Sequence, residues 1–307
     1  MADAALTRPE STALAPPLAV PAAEDGAERR ARRARLARVL VPALTLVAAL
    51  GFWEWIVAAR EIPPYVLPAP SRIGATLVSD WDTLFASLLV TLTTTAQGLL
   101  LAFVGGVGLA ILFALFRPVE YALYPYAVIL QVTPVIAIAP LLLIYLPQQA
   151  AVLACAWIVA FFPILSNATL GLRSVDHNLL ALFELYRPRT AHLSPLRRLA
   201  ADFAWELKVL WHLKLKAAAP YILGGLRIGG GLALIGAVVA EIAACSAGAG
   251  SGLAYRIAES QYRLNIARLF AALALLALTG VVIFLALTWL TNRLLSRWHE
   301  SARERER

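Results

Sequence analysis

Six apolar runs, at residues 39–59, 84–116, 121–146, 150–172, 221–244 and 266–290, constrain this chain more than any other feature. Each supplies the roughly 20 residues with which a helix crosses a hydrocarbon layer about 30 Å thick. None alternates with period two, so helices are the spanning form, each satisfying its own backbone polar groups. The run at 84–116 is too long for one perpendicular crossing and must tilt or project. With 60% hydrophobic residues, 15% charged residues and a mean hydropathy of +0.72, the chain lies outside the range of soluble domains. The expected fold is an all-α membrane protein with six transmembrane helices. Its expected organisation is a tail at 1–37, a spanning domain at 38–298 and a short tail at 299–307.

Charge gives the orientation. The N-terminal tail, rich in Ala, Pro and Glu, is expected to be disordered and ends in an arginine cluster from Arg29 to Arg38. Its charged part is too long for a cleaved leader, so the first run reads as an anchor with its basic flank inside. The inner segments then hold seven Lys/Arg before the first run, one at Arg117, nine from Arg173 to Arg227 and five from Arg293 to Arg307. Only Arg60, Arg72, Arg256, Arg263 and Arg268 fall outside. This bias places both termini in the cytoplasm and implies an even number of crossings. The arginines do not interleave with exposed aromatics, so the partner they imply is the lipid bilayer and not nucleic acid.

The longest polar interruption, residues 173–220, carries Arg173, Arg187, Arg189, Arg197, Arg198, Lys208, Lys214 and Lys216 against four acids. It is large enough to dock a partner. Within it Leu196, Leu199, Phe203, Leu207 and Leu210 recur at helical spacing. That pattern fits either an extended docking element or a helix resting on anionic headgroups. On the other side, prolines at 63, 64, 68 and 70 make a rigid connector into an amphipathic stretch at 72–81.

Inside the runs, Ala102, Gly106, Ala110, Ala114 and Gly225, Gly229, Ala233, Ala237 form four-residue ladders that let helix backbones approach closely. Threonines 91, 93, 94 and 95 are expected to bond back to their own helix. Gln97 and Gln131 need a partner or water, and with Thr94 and Asn167 they are the candidate path lining. Glu54 and Glu241 sit near the outer ends of their runs; Glu241 is expected either on the path or in a structural role beside the glycine-rich turn at 247–252. That turn lacks the Gly-Lys-Ser/Thr ending of a phosphate loop, so no nucleotide site is expected in this chain. The two cysteines, Cys155 and Cys245, have no metal-ligand spacing, and no nucleophile cluster appears. No cofactor, metal or catalytic activity is expected.

Several ordered stretches resemble the permease subunits of binding-protein-dependent ABC importers, in the group handling nitrate, sulfonates, taurine and thiamine-precursor pyrimidines. They are Tyr65-Val-Leu-Pro-Ala-Pro-Ser71, Leu130-Gln-Val-Thr-Pro-Val-Ile-Ala-Ile-Ala-Pro140, Phe161-Phe-Pro-Ile-Leu-Ser-Asn167, Gly225-Leu-Arg-Ile228 and Gly236-Ala-Val-Val-Ala-Glu241. The resemblance implies a homodimer of six-helix subunits, a pair of cytoplasmic ATPase subunits that bind and hydrolyse the ATP, and an extracytoplasmic solute-binding protein. The family's cytoplasmic signature maps onto a stretch opened by Asp176, a suitable N-cap. Its Glu-Ala-Ala positions fall on Ala181, Leu182 and Phe183, and its glycine falls on Arg187. Its distal part falls on Leu213-Lys-Leu-Lys216, where Lys216 replaces a proline. Twenty-five residues separate Arg187 from Leu213 where the family has nine, an insertion of 16. The resemblance thus makes Asp176, Ala181, Glu184, Tyr186, Arg187, Leu213, Leu215 and Lys216 the candidate ATPase-coupling residues, and Thr94, Gln97, Gln131, Asn167 and Glu241 the candidate path. The rival reading is a stand-alone secondary transporter or channel with Glu54 or Glu241 as its coupling acid.

Overall fold

The computed structural model describes residues 22–188, 194–244 and 250–296, and every regular element among them is a helix. Helix α1 spans Ala22–Ala59 and forms a unit of its own. It starts well before the apolar run, at Ala22. The reason is local: Ala, Glu and Arg are strong helix formers. Residues 1–21 and 297–307 lie outside the described residues.

The second unit contains α2 (Pro70–Ser79), α3 (Trp81–Leu115), α4 (Arg117–Val132), α5 (Val135–Tyr145), α6 (Gln148–Arg173) and α7 (His177–Leu185). It continues through α8 (Pro195–Val209), a π-helical turn (Leu210–Lys214), α9 (Leu215–Ala244), α10 (Leu253–Tyr262) and α11 (Ile266–Leu295). Five helical stretches are long and apolar enough to cross a membrane, and α4 with α5 makes a sixth candidate bent by 101°. The run at 121–146, expected to be one straight helix, is therefore broken. Pro134 lacks an N–H and pushes Thr133 into extended backbone (ψ 123°), which ends α4.

Helix α6 is the centre of this unit. Close approach to both neighbours is possible because glycines face it. A Cβ on Gly98 of α3 would lie 2.6 Å from the Ala156 Cβ, and one on Gly106 would lie 3.1 Å from Ile164. Residue numbers rise together along the seam, so α3 and α6 run parallel. Against α9 they run oppositely: Gly236 meets Cys155 and Ala156, Gly229 meets Ile164, and Gly225 meets Asn167. Of the two ladders foreseen, Ala102, Gly106, Ala110, Gly225, Gly229, Ala233 and Ala237 are all buried in these seams. Where lipid removes the hydrophobic driving force, such close van der Waals packing is what holds helices together.

Parallel α3 and α6 have a topological consequence. The chain leaves α3 at one end of the bundle and must enter α6 at the other. Only α4 and α5 lie between, so the bent pair carries the chain back across the layer as a broken span. Helix α11 is antiparallel to α9, since Gly230 meets Leu287 and Gly280 meets Leu234. One end of the bundle therefore collects Arg117, Arg173, Lys214 and Arg293, and the opposite end collects α2, α10 and the start of α11. There Ile73 and Leu77 of α2 pack with Leu84, Leu253, Ala271 and Leu275.

The seam makes a direct prediction. A Cβ on Gly236 would lie 2.5 Å from the Cys155 carbonyl oxygen, a backbone atom, whereas one on Gly224 meets nothing within 4 Å. Gly236→Ala should cost about 1–3 kcal/mol by forcing the helices apart, and Gly224→Ala should be close to neutral. Denaturant unfolding of the purified chain in detergent distinguishes the two.

Candidate functional site

At the basic end, α7 projects as a short helix with a satisfied start: the Asp176 carboxylate accepts the Asn178 N–H at 2.8 Å, the capping role expected for it. Its apolar residues divide between two faces. Leu180 and Phe183 turn towards the bundle, while Leu179, Leu182, Leu185 and Tyr186 are exposed, Leu185 by 82%. Ala181 and Glu184 are exposed as well. Beneath α7 lies a polar cavity of about 630 Å³ bordered by Arg117, Glu120, Tyr121, Arg173, Leu180 and Lys214. Buried Glu120 forms an ion pair there with Arg173, joining the start of α4 to the end of α6.

Arg187, at the position that the resemblance gives to glycine, acts as a bridge. Its guanidinium donates to Asp202 Oδ1 at 3.1 Å and to Glu184 Oε2 at 3.4 Å, linking α7 to α8. The Asp202 hydrogen bond, then that of Glu184, raises its pKa further. Such exposed pairs contribute only about 0.2–1 kcal/mol each, so the bridge orients α8 more than it stabilises it. Phe203 of α8 also stacks on Phe116 at the end of α3, with ring centroids 6.0 Å apart. Lys214 reaches Glu206 at 3.5 Å along the same helix.

The inserted segment is helical, as its periodicity implied, and of its apolar stripe only Leu210 turns inward, beside Trp205 and Val209. Trp205, Val209 and Leu210 are buried, while Leu196, Leu199, Phe203 and Leu207 stay 46–82% exposed. The distal coupling residues also sit differently from expectation. Leu213 is in the π-helical turn, and Leu215 and Lys216 open α9, so they belong to one helical stretch, Pro195–Ala244.

At the opposite end, Glu241 is 4% exposed and enclosed, although its place near the end of a run suggested access to water or to a path. Thr91 donates its hydroxyl to Glu241 Oε1 at 2.9 Å and accepts the Leu253 N–H at 2.8 Å. The Ala254 N–H donates to Glu241 Oε2 at 3.1 Å. One carboxylate thus joins α9, α3 and the start of α10, where the helix dipole favours negative charge. Gly252 makes room, since a Cβ there would lie 2.1 Å from Glu241 Oε1. Thr91 and Glu241 are 150 residues apart, and no local pattern in the sequence connects them. Thr93 behaves as expected, bonding back to the Leu89 carbonyl at 2.8 Å.

The other path candidates are not gathered into one site. Thr94 is half-buried and Gln97 exposed on α3; Gln131 is exposed near the bend between α4 and α5. Asn167 donates to the Pro163 carbonyl at 2.8 Å and packs in the α6–α9 seam against Gly225. Glu54 is half-buried near the end of α1. No group of three or more His, Cys, Asp or Glu side chains suited to a metal ion occurs among the described residues.

Comparison with known proteins decides the family. A probable ABC transporter permease protein of Haemophilus influenzae is 32% identical over 257 residues, which cover 83% of this chain and 97% of that protein. The chain belongs to the permeases of binding-protein-dependent ABC transporters. Residues 201–296 of this permease match the family described as binding-protein-dependent transport system inner membrane component. The formylaminopyrimidine transport permease protein of Halalkalibacterium halodurans is 31% identical over 261 residues, covering 84% of the chain and 96% of the relative. A putative aliphatic sulfonates transport permease protein of Bacillus subtilis is 28% identical over 268 residues, covering 86% and 87%. The permease is thus an importer component of the inner membrane, a multi-pass transport protein and not an enzyme. The matched segment runs from α8 to α11 and includes Arg227, Glu241 and α10.

Helix α10 is also held by charge. Glu259 accepts from Arg256 at 2.8 Å and pairs with Arg263 at 3.0 Å, and Arg256 donates to Ser87 of α3 at 3.0 Å. The Arg256 hydrogen bond, with the neighbouring arginines, holds the Glu259 carboxyl below its ordinary value of 4.5. A depressed folded value means stabilisation that is present above the unfolded value and lost as pH falls through the folded one. Glu259→Gln should therefore lower the melting temperature at pH 7, and its gap from the unsubstituted permease should close below about pH 4.5. A pH series of melting curves in detergent checks this.

Proposed function

We propose that two copies of this permease form the translocation path of an ATP-driven importer. An extracytoplasmic solute-binding protein delivers the solute, and a pair of cytoplasmic ATPase subunits drives the cycle. The permease itself carries no cofactor; ATP is bound and hydrolysed by the partner. The supporting observation is the end of the bundle that presents α7. Arg117, Arg173, Lys214, Lys216 and Arg293 collect there, which by the positive-inside rule makes it cytoplasmic, with both chain termini on that side. Exposed Leu179, Leu182 and Leu185 offer an apolar face for a soluble partner. The Arg187 bridge then ties α7 to α8, and α8 continues into α9. A push on α7 is thereby delivered to a helix that crosses the layer and contacts α3, α6 and α11.

The substrate class is a small anion, an alkyl sulfonate or a pyrimidine precursor, a reading supported by the relatives named for formylaminopyrimidine and aliphatic sulfonates. A stand-alone secondary transporter would need Glu54 or Glu241 to exchange protons with water, and the enclosure of Glu241 by Thr91 and α10 counts against that role.

The test is co-purification of the ATPase subunit with α7 variants. Leu182→Asp and Leu185→Asp change exposed side chains and should leave the melting temperature of the permease unchanged while lowering ATPase recovery at least about ten-fold, a loss of roughly 1.4 kcal/mol of association free energy. Full recovery with both variants would remove α7 from the docking surface.

A further inference from the structure

Arg227 is a cation in the apolar part of α9, and nothing assigned so far uses it. It lies eleven residues beyond Lys216 and fourteen before Glu241, about 16 Å and 21 Å along the helix axis. Against a hydrocarbon layer of about 30 Å it sits near mid-depth. Neither interface is within the reach of an arginine side chain, so it cannot place its charge among headgroups as terminal arginines do. It has no ion pair among the described residues. Its recorded neighbour is Phe284 of α11, with the guanidinium carbon 4.4 Å from the ring centroid.

The face of α9 around it is open. Cβ atoms on Gly224 and Gly231 would meet nothing within 4 Å, and Ile228 and Ile235 are 52% and 54% exposed. The buried faces of α9 are elsewhere, towards α6 through Gly225, Gly229 and Gly236, and towards α11 through Gly230. A charged arginine at this depth, facing away from the bundle, is tolerated where its face borders water, not hydrocarbon. In such a passage, low-dielectric walls concentrate the field of a single cation on whatever passes. Headgroup phosphates do not reach mid-depth, which leaves a dissolved solute as the source of a counter-anion.

We infer that the open face of α9 lines the water-filled path of the permease, and that Arg227 is a transient binding site for the oxyanionic group, carboxylate or sulfonate, of the transported solute. This rests on the permease reading and names the chemistry of its path. The planar guanidinium matches both oxygens of such a group, and Phe284 keeps it from folding back along the helix. Passage requires that the hold be weak, and a single cation without further donors meets that requirement.

Thiol labelling tests the inference without knowledge of the solute. Gly231→Cys, one turn beyond Arg227, is introduced after Cys155→Ala and Cys245→Ala, with the permease co-expressed with its ATPase and kept in native membranes. Ile235→Cys provides a second reporter if the first disturbs folding. Labelling rates with an anionic and a cationic methanethiosulfonate reagent are compared, each normalised to a free thiol. The anionic reagent should react at least about ten-fold faster. Arg227→Lys should keep the preference, and Arg227→Gln should reduce the ratio to near one. Failure of both reagents to label either cysteine would mean a face sealed by protein or lipid and would overturn the inference. So would a preference that survives Arg227→Gln. ATPase recovery from the same membranes is scored separately: its absence together with an Arg227-dependent preference would reject the ATPase-coupled reading while leaving the anion site in place.

Discussion

Backbone-to-backbone approach along α6 is the constraint on which the rest of the unit depends. Gly98 and Gly106 let α3 lie against one side of α6, and Gly225, Gly229 and Gly236 let α9 lie against the other. These contacts fix more than stability. By aligning α3 with α6 in the same direction they oblige the intervening chain to cross the layer again, which the stretch Arg117–Tyr145, bent at Thr133 and Pro134, accomplishes. They also leave α9 packed on α6, α3, α5 and α11 with one exposed face, and that face carries Arg227.

The two ends of the bundle are organised by different physics. At the basic end, α7 and α8 are held by exposed ion pairs and a ring stack, interactions weak enough to yield when a partner docks. At the opposite end a buried carboxylate satisfies a hydroxyl and a helix start together, and Gly252 is required for it to fit. Removing one member of such a buried set is costly because the others are left unsatisfied. Helix α10 is thus firmly seated on α3 and α9, while α7 is tied through exposed ion pairs to α8, which runs on into α9. Helix α9 joins the two ends, with the Arg227 face along its length and the Glu241 clasp at its far end.

Most of the spans were legible in the sequence because a 20-residue apolar run has few alternatives in a membrane. The α7 start was legible from Asp176, whose capping chemistry is local. The family was legible from ordered motifs. What the sequence concealed was relational. Pro134 sits inside a run that reads as a single span, and the sharpness of its break depends on the direction in which α5 must travel to reach α6. The periodicity of α8 identified residues that share a face without telling which face would pack, and Trp205 and Val209 took the inward position. Helix α9 begins at Leu215, before its apolar run, and runs through Pro220. Thr91 looked like an ordinary back-bonding threonine, as Thr93 is, until a glutamate 150 residues away was brought beside it.

The parallel course of α3 and α6 is most directly tested by locating the α5–α6 connection relative to the membrane. Cysteines at Gln149, Tyr262 and Leu185, one at a time after Cys155→Ala and Cys245→Ala, can be labelled from each side with a membrane-impermeant maleimide. The account predicts that Gln149→Cys and Tyr262→Cys label from one side and Leu185→Cys from the other. Labelling of Gln149→Cys from the same side as Leu185→Cys would make α4 and α5 a re-entrant loop and contradict the helix order derived from the glycine seams.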